Sequence, residues 1–222
     1  MSVDIAVLDY GMGNRRSVEK ALEHVGARAF VTSDPQRLRA AAGVVVPGVG
    51  AFPRAMSKLA ELGLDELIRE RVGAGAPVLG ICLGMQLAFE RSSELGGAAG
   101  LGIVRGEVRA LDAHGLKLPH IGWNEVTFAG GAANGGAPST PGEALLAGLP
   151  QRCAFYHVHS FAPVPAMRED VLGSAEYGAP FVTAVQHGSF YGVQFHPEKS
   201  SVAGLRLLEN FVRICAAAPV PA

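Results

Sequence analysis

The sequence contains few cysteines and carries almost no net charge. The chain has 222 residues and three widely separated cysteines, Cys82, Cys153 and Cys215. An odd number of distant cysteines does not form the disulfide framework of a small secreted protein, and it suits a reducing cytosol. The formal net charge is −1, so no excess of basic residues directs the chain to nucleic acid or to an anionic membrane.

A long uninterrupted hydrophobic segment is also missing. Residues 72–89 have no charged side chain and approach the length of a membrane span, but four glycines, Pro77 and Gln86 interrupt them. The N-terminal stretch "MSVDIAVLDYG" has neither the basic region nor the longer apolar stretch of a signal peptide. These features argue against a membrane helix and predict a cytoplasmic protein.

Short apolar runs do occur, and they alternate with segments of helical spacing. Four runs predict buried strands at residues 3–8, 28–31, 43–46 and 77–81. Helical spacing follows Asn14, which is placed to cap the first helix, and recurs across 54–72 with a break near Gly63. Strands that alternate with helices predict parallel pairing, and 49% hydrophobic residues provide enough core for one α/β domain.

After residue 100 the pattern changes to strands with few helices between them. Strands are predicted at 103–110, 120–127, 153–159, 171–176, 182–187 and 190–195, followed by a helix at 201–216. We therefore predict an α/β fold, a flavodoxin-like three-layer sandwich with a central, mostly parallel sheet and an added antiparallel layer. Residues 129–142, "AGGAANGGAPSTPG", have little that packs and are predicted to form a flexible surface loop.

The stretch "VLGICLGMQLAF" places a thiol between two glycines at a predicted strand-to-helix junction. "GICLG" is the thiol counterpart of G-x-S-x-G, a sharp turn that exposes a nucleophile at its tip. At the start of a helix, free N–H groups and the positive end of the helix dipole favour the thiolate form of Cys82. The N–H of Leu83 is then a donor for an oxyanion. Taken alone, the pattern fits a small buried core cysteine equally well.

A base for such a thiol is found far along the chain, in "FYGVQFHPEKS". The alternating residues predict a strand that ends at Pro197, which cannot donate to a sheet. Residues two apart in an extended chain point the same way, so Glu198 is placed to orient the imidazole of His196. Cys82, His196 and Glu198 would then act as nucleophile, base and orienting carboxylate. Alone, this motif fits a strand-end histidine beside a solvated glutamate better.

Together, "GICLGMQ" and "GVQFHPE" resemble the class I, triad-type glutamine amidotransferases, and the resemblance covers nearly the whole chain as one domain, residues 1–222. It implies that Cys82 attacks the side-chain amide of glutamine, ammonia leaves, and water hydrolyses the thioester to glutamate. No cofactor and no metal are implied. His157 and His159 form an H-x-H pair, but no third ligand lies nearby in the sequence.

The same resemblance implies further site residues. The turn "PGVG" would face the nucleophile, with Gly48 at the substrate and Val49 beside Leu83 at the oxyanion. Further contacts to glutamine are implied for Gln86, Glu94 and Ser160. Gln86 falls four residues after Cys82 and therefore on the same helix face.

Three further stretches, "LDYGMGNRRSV", "PGVG" and "PHIGWNEV", resemble the glutaminase subunits of imidazole glycerol phosphate synthases. This resemblance implies a heterodimer with a (β/α)8-barrel cyclase, which uses the ammonia to form imidazole glycerol phosphate and an aminoimidazole carboxamide ribotide in histidine biosynthesis. The cyclase-facing side is expected to include Tyr10, Asn14, His120, Trp123 and Asn124. An arginine at position 15, where an apolar residue is common, would alter the docking contact or lie solvated in the first turn of the helix.

Three other interpretations remain open at this point. A glutaminase subunit of a different synthase would carry the same two motifs. A cysteine peptidase or hydrolase on a similar sheet would leave Gln86 without a role. A redox-sensing or binding module that uses the Cys82 thiolate would leave His196 and Glu198 unexplained. Glutamate release from glutamine separates the glutaminases from the other two classes.

Overall fold

The structure is a computed structural model and describes residues 2–129 and 140–218. Most of the predicted surface loop at 129–142 lies outside the described residues. Its last residues are not loop, because a helix begins at Pro141. Thr140 caps that helix, since its side-chain oxygen accepts a hydrogen bond from the Glu143 N–H at 3.2 Å. Proline at the first helical position adds to this start signal.

Thirteen strands are present in the described residues. In chain order they are β1 (Asp4–Leu8), β2 (Arg28–Thr32), β3 (Gly43–Gly48), β4 (Val78–Cys82), β5 (Phe89–Ser92), β6 (Ala98–Ala99), β7 (Val104–Ala110), β8 (His120–Phe128), β9 (Arg152–His159), β10 (Phe161–Pro165), β11 (Val171–Tyr177), β12 (Ala179–His187) and β13 (Phe190–Val193). Each predicted strand has a counterpart here. Three short ones, β5, β6 and β10, were not predicted.

The helices of the described residues are α1 (Arg15–His24), α2 (Pro35–Ala40), α3 (Phe52–Glu61), α4 (Leu64–Gly73), α5 (Leu83–Gln86), α6 (Pro141–Leu146) and α7 (Ser201–Ala217). The break predicted near Gly63 is confirmed, because this residue adopts a left-handed conformation (φ 63°) between α3 and α4. Helix α1 begins after Asn14 as predicted, but the Asn14 side chain makes no capping hydrogen bond. The next residue, Arg15, forms an ion pair with Asp9, which directly follows β1.

Nine strands form one mixed sheet in the order β2-β1-β3-β4-β13-β12-β11-β8-β9. The pairs from β2 to β13 are parallel, and the pairs from β13 to β9 are antiparallel. Strand β13 joins the two halves, since it pairs with β4 on one side and β12 on the other. The predicted antiparallel strands therefore mainly extend the central sheet. The separate layer is a four-stranded sheet in the order β10-β7-β5-β6.

Helices cover both faces of the parallel half of the large sheet. Along β1, Ile5 and Val7 pack into one apolar cluster, while Ala6 and Leu8 pack into another. Helices α1 and α7 contribute to the first cluster, and α2, α3 and α4 contribute to the second. Burial on both faces explains why β1 is an apolar run instead of an alternating one. The predicted three-layer arrangement is confirmed. Among the described residues, no helix is long and apolar enough to cross a membrane.

Candidate active site

Cys82 is the last residue of β4 and immediately precedes α5. Its backbone has φ 54° and ψ −109°, a conformation that residues other than glycine rarely adopt. Such strain costs about 1–3 kcal/mol and persists only where the surroundings enforce it. A Cβ at Gly84 would lie 1.8 Å from the Val46 carbonyl oxygen, and a Cβ at Gly80 would lie 2.5 Å from the Gly84 oxygen. The two glycines of "GICLG" therefore permit the close approach that the turn requires.

His196 follows β13, the strand that pairs with β4, and its side chain meets Cys82 and Glu198. Nδ1 of His196 lies 2.9 Å from Oε1 of Glu198, and both side chains are buried. With Nδ1 occupied by the carboxylate, Nε2 is left for the hydrogen bond to the Cys82 side chain. Burial lowers the pKa of His196, but the hydrogen bonds to Cys82 and Glu198 outweigh burial and raise that pKa to about 10. The site thus favours the imidazolium form of His196.

Ser200 fastens the segment that carries His196 to strand β9. Its hydroxyl donates to the His196 carbonyl at 2.7 Å and accepts from the Tyr156 N–H at 3.0 Å. The His196 N–H in turn donates to the Tyr156 carbonyl at 2.9 Å. Sequence reasoning missed Ser200, although it directly follows the "HPEK" motif. Its buried hydroxyl fixes the backbone on which the imidazole is mounted.

Cys82 and His196 line a cavity of about 380 Å³. The predicted site residues that share its lining are Val49, Leu83, Gln86, Glu94 and Ser160. Residues from four separate parts of the sequence therefore meet at one site. Sequence reasoning missed Pro119 and Lys199, which also line the cavity.

Two predicted substrate contacts are already engaged with the protein through part of their polar groups. The Gln86 amide nitrogen donates to the Phe161 carbonyl and to Gln194 Oε1, each at 2.9 Å. Its carbonyl oxygen is thus the group left for a ligand. Glu94 accepts a hydrogen bond from the Phe52 N–H through Oε2 at 2.8 Å, which leaves Oε1 for a cation.

Gly48, predicted to contact substrate, does not line the cavity. A Cβ at this position would lie 2.6 Å from the Tyr10 hydroxyl oxygen and 2.8 Å from the Leu83 Cβ. The glycine therefore serves the packing of β3 against the thiol turn. Tyr10, predicted to face the partner, is 1% exposed, so its side chain lies in the interior. Its hydroxyl donates to the Pro47 carbonyl at 2.9 Å and supports the end of β3 from inside.

His120 is the second residue wrongly expected at the surface. It is 3% exposed and stacks on Tyr177, with ring centroids 4.1 Å apart. Trp123, on the same strand β8, is 56% exposed. Asn124 is partly exposed, and its amide donates to the Glu176 carbonyl at 2.8 Å. Asn14 is also partly exposed. Of the five residues predicted to face the partner, these last three keep accessible surface.

The H-x-H pair lies in the interior of the protein. His157 is hydrogen-bonded to the Phe155 carbonyl through Nδ1 at 3.1 Å and to the Thr183 hydroxyl through Nε2 at 2.8 Å. Burial lowers the pKa of His157 to about 3 and that of His159 to about 4. The described residues contain no group of three or more side chains placed to hold a metal ion. Both ring nitrogens of His157 are thus committed to the protein.

Comparison with solved structures supports the same fold. "Structure of PurLQS from Thermotoga maritima" matches with a TM-score of 0.74 at 15% identity, covering 96% of this chain and 99% of that chain. The glutaminase domain of Trypanosoma brucei CTPS matches with a TM-score of 0.66 at 20% identity, covering 98% of this chain and 95% of that chain. At these identities the likeness concerns the fold alone.

Comparison with known sequences identifies the family. "Imidazole glycerol phosphate synthase subunit HisH" of Moorella thermoacetica is 50% identical over 207 residues, which are 93% of each chain. The protein of the same name in Aquifex aeolicus is 47% identical over 208 residues, which are 93% of this chain and 95% of that protein. The family model described as "Glutamine amidotransferase class-I" matches residues 6–215. This chain therefore belongs to the class-I glutamine amidotransferase family.

Proposed function

We propose that this chain is the glutaminase subunit of an imidazole glycerol phosphate synthase. It would hydrolyse glutamine and deliver the ammonia to a (β/α)8-barrel cyclase in histidine biosynthesis, in the cytoplasm. The observation that carries the chemistry is the contact of Cys82 with His196, which is itself held by Glu198, at the wall of one cavity. Identities near 50% to proteins named as HisH subunits support the choice of synthase.

In the first step, the Cys82 thiolate attacks the amide carbon of glutamine. The N–H of Leu83 is the proposed donor to the resulting oxyanion, because the first residues of a helix have no partner for their N–H within it. Val49, which lines the same cavity, supplies the second donor. The imidazolium of His196 gives its proton to the departing nitrogen, so that ammonia leaves and a thioester remains.

In the second step, neutral His196 takes a proton from water, and the hydroxide attacks the thioester. The same oxyanion donors act again, and glutamate leaves as the thiolate is restored. Glu198 keeps the imidazole in one orientation through both steps, since Nδ1 stays bound to its carboxylate. Burial of this pair excludes water and strengthens the interaction.

The cavity also supplies contacts to the rest of glutamine. The free oxygen of Glu94 is suited to the α-ammonium group. The Gln86 carbonyl accepts from an N–H group of the substrate, because its amide nitrogen is already used. Ser160, at the junction of β9 and β10, adds a hydroxyl.

The face that carries β8 is the proposed docking surface. Trp123 and Ile121 are large apolar residues that lie more than half exposed on this strand. A tryptophan at a surface is typical of an interface anchor. Pro119 directly precedes β8 and lines the cavity. A partner bound here would therefore lie next to the site where ammonia is released.

The decisive experiment measures glutamate release from L-glutamine with and without the barrel cyclase and its nucleotide ligand. We expect strong stimulation by the cyclase, abolition of turnover in Cys82→Ala, and cyclase binding by that variant equal to wild type. Cys153→Ala, which changes a thiol outside the cavity, is the matched control and keeps full activity. Glutamate release by Cys82→Ala would remove this residue from the nucleophile role. Glutamate release that does not change when the cyclase is added would assign the chain to a different synthase.

A further inference from the structure

Gln194 is a buried polar side chain that the proposed chemistry does not use. It follows β13 directly, two residues before His196, and it is 0% exposed. Its backbone N–H donates to the Thr183 carbonyl at 2.8 Å, which fixes its backbone against β12. Its side-chain amide nitrogen donates to the sulfur of Cys82 at 3.6 Å. The thiol therefore has a polar partner in addition to the imidazole.

The orientation of this amide is determined by its neighbours. Gln194 Oε1 accepts a hydrogen bond from the Gln86 amide nitrogen at 2.9 Å, and that nitrogen also donates to the Phe161 carbonyl. Rotation of the Gln194 amide by half a turn would set two NH₂ groups against each other and present an oxygen to the sulfur. The arrangement is therefore locked with the N–H group towards Cys82.

The hydrogen bonds that fix the Gln194 amide continue into a cluster of buried histidines. The Phe161 carbonyl also accepts from Nδ1 of His159 at 2.9 Å. Nε2 of His159 lies 3.1 Å from Nδ1 of His120, and Nε2 of His120 lies 3.4 Å from the Asn124 amide nitrogen. A continuous series of hydrogen bonds thus connects the nucleophile to strand β8.

The surroundings of the sulfur explain what this donor contributes. The Val158 carbonyl lies 3.7 Å from Cys82 Sγ and accepts from the neutral thiol. The same carbonyl opposes a thiolate, because its oxygen carries partial negative charge. An N–H donor at the sulfur has the reverse preference, since hydrogen bonds to an ionised acceptor are stronger than those to a neutral one. Gln194 therefore shifts the balance towards the anion.

We propose that Gln194 is a positioning residue that holds the Cys82 sulfur and favours its thiolate through the amide N–H that Gln86 locks in place. This inference rests on the proposed role of Cys82 as nucleophile. The other titratable groups that face Cys82 or its cavity are Tyr10 after β1, His159 on β9, Glu94 after β5, and His196 and Lys199 after β13. None of them changes in the variants below.

The test is the rate at which iodoacetamide alkylates Cys82 as a function of pH, followed by mass spectrometry of the peptide that contains this residue. Gln194→Met removes the donor and keeps the length of the side chain. We expect the midpoint of its profile to move up by about one pH unit, which slows alkylation about tenfold at any pH well below both midpoints. Gln194→Glu places a carboxylate beside the sulfur and is expected to be slower still.

Two further variants keep the test decisive. Gln186→Met changes a glutamine of β12 whose amide nitrogen donates to Gly188 at 2.6 Å, and it is the matched control with an unchanged profile. Gln86→Met leaves Gln194 in place but releases its amide, so we expect a smaller shift in the same direction. This variant decides the matter if Gln194→Met fails to fold, as thermal unfolding will reveal.

A profile for Gln194→Met that coincides with wild type would overturn the proposal. Equal rates for the Met and Glu variants at position 194 would also overturn it, because simple packing loss does not depend on charge. Alkylation needs neither glutamine nor a partner. If the proposed glutaminase function is wrong, the glutamate-release assay will show it. The alkylation profiles can still be interpreted in that case.

Discussion

Replacing Glu198 by glutamine removes one charge from the centre of the site and keeps the size of the side chain. The carboxylate lies 2.9 Å from Nδ1 of His196 and is buried with it. Its second oxygen is buried and has no hydrogen-bond partner among the described residues. An amide placed here must either bury its NH₂ group unpaired or turn that group towards Nδ1. Both outcomes weaken the interaction of residue 198 with the His196 imidazolium.

The size of the effect follows from the pKa of His196. The ordinary value is 6.5, and the site raises it to about 10. The difference corresponds to on the order of 5 kcal/mol in favour of the imidazolium, shared between Cys82 and Glu198. Loss of Glu198 alone is therefore expected to lower the pKa by about two units or more, since burial continues to oppose the charge. Turnover is expected to fall on the order of 10⁴-fold, as in a serine-protease triad that loses its carboxylate.

The sign of the pH dependence is set by the direction of this shift. A raised pKa stabilises the folded protein fully below the ordinary value of 6.5, and this contribution is lost as the pH rises through about 10. In Glu198→Gln the loss begins at the same pH but is complete at a lower pH, because the folded-state pKa is lower. The difference in stability between the two proteins is therefore largest below the folded-state pKa of the variant and shrinks above it. An unpaired buried NH₂ group adds about 1–3 kcal/mol of destabilisation that does not depend on pH.

The assay is an NMR titration of the histidine ring nitrogens, in which His196 is assigned by its absence from His196→Asn. Wild-type His196 is expected to stay protonated through pH 8, and the variant is expected to titrate about two units below wild type. Glu61→Gln removes a carboxylate that pairs with Lys58 on the surface of α3 and is the control. Identical His196 midpoints in wild type and Glu198→Gln would refute the assignment of the raised pKa to this carboxylate.

Three further predictions follow from the packing around the site. Trp123→Ala is expected to weaken binding to the cyclase at least about tenfold in calorimetric titration, with no change in Tm, because the indole is 56% exposed. Gly84→Ala sets a Cβ 1.8 Å from the Val46 oxygen and is expected to lower Tm by about 6 °C or more, whereas Gly73→Ala meets nothing within 4 Å and leaves Tm unchanged. Tyr10→Phe leaves a buried carbonyl unpaired and is expected to cost about 1–3 kcal/mol in urea unfolding.

The sequence predicted the elements of the parallel half well, because its signals there are local. The apolar run of β1 and the helical spacing of α1 reflect burial within a few consecutive residues. The glycines at 80 and 84 predicted a close approach of backbones. Gly84 approaches the backbone of β3 at Val46, and Gly80 approaches the backbone at Gly84. Short-range patterns of this kind depend little on the rest of the chain.

Whether a side chain faces a partner or the protein interior was harder to predict. Tyr10 and His120 lie in motifs that resemble a docking surface, yet each side chain turns inwards and forms part of the support for the site. A motif records that a residue type matters at a position, and it does not distinguish a contact with a partner from a contact with the interior. Gln194 was missed for a different reason. The sequence pattern of a strand does not show that this glutamine faces Cys82, and its role depends on that contact.

The proximity of Cys82 and His196 depends on strand order, which local patterns do not contain. Strands β4 and β13 are parallel neighbours in the sheet, with Ile81 opposite Val193. The carboxyl ends of parallel strands meet at one edge, where ligands of open α/β sheets bind. Cys82 ends the first strand, and His196 follows the second by three residues. The chain thus brings a thiol and an imidazole together through backbone pairing, and the side chains need only complete the contact. This explains why two short motifs, far apart in sequence, identify one site.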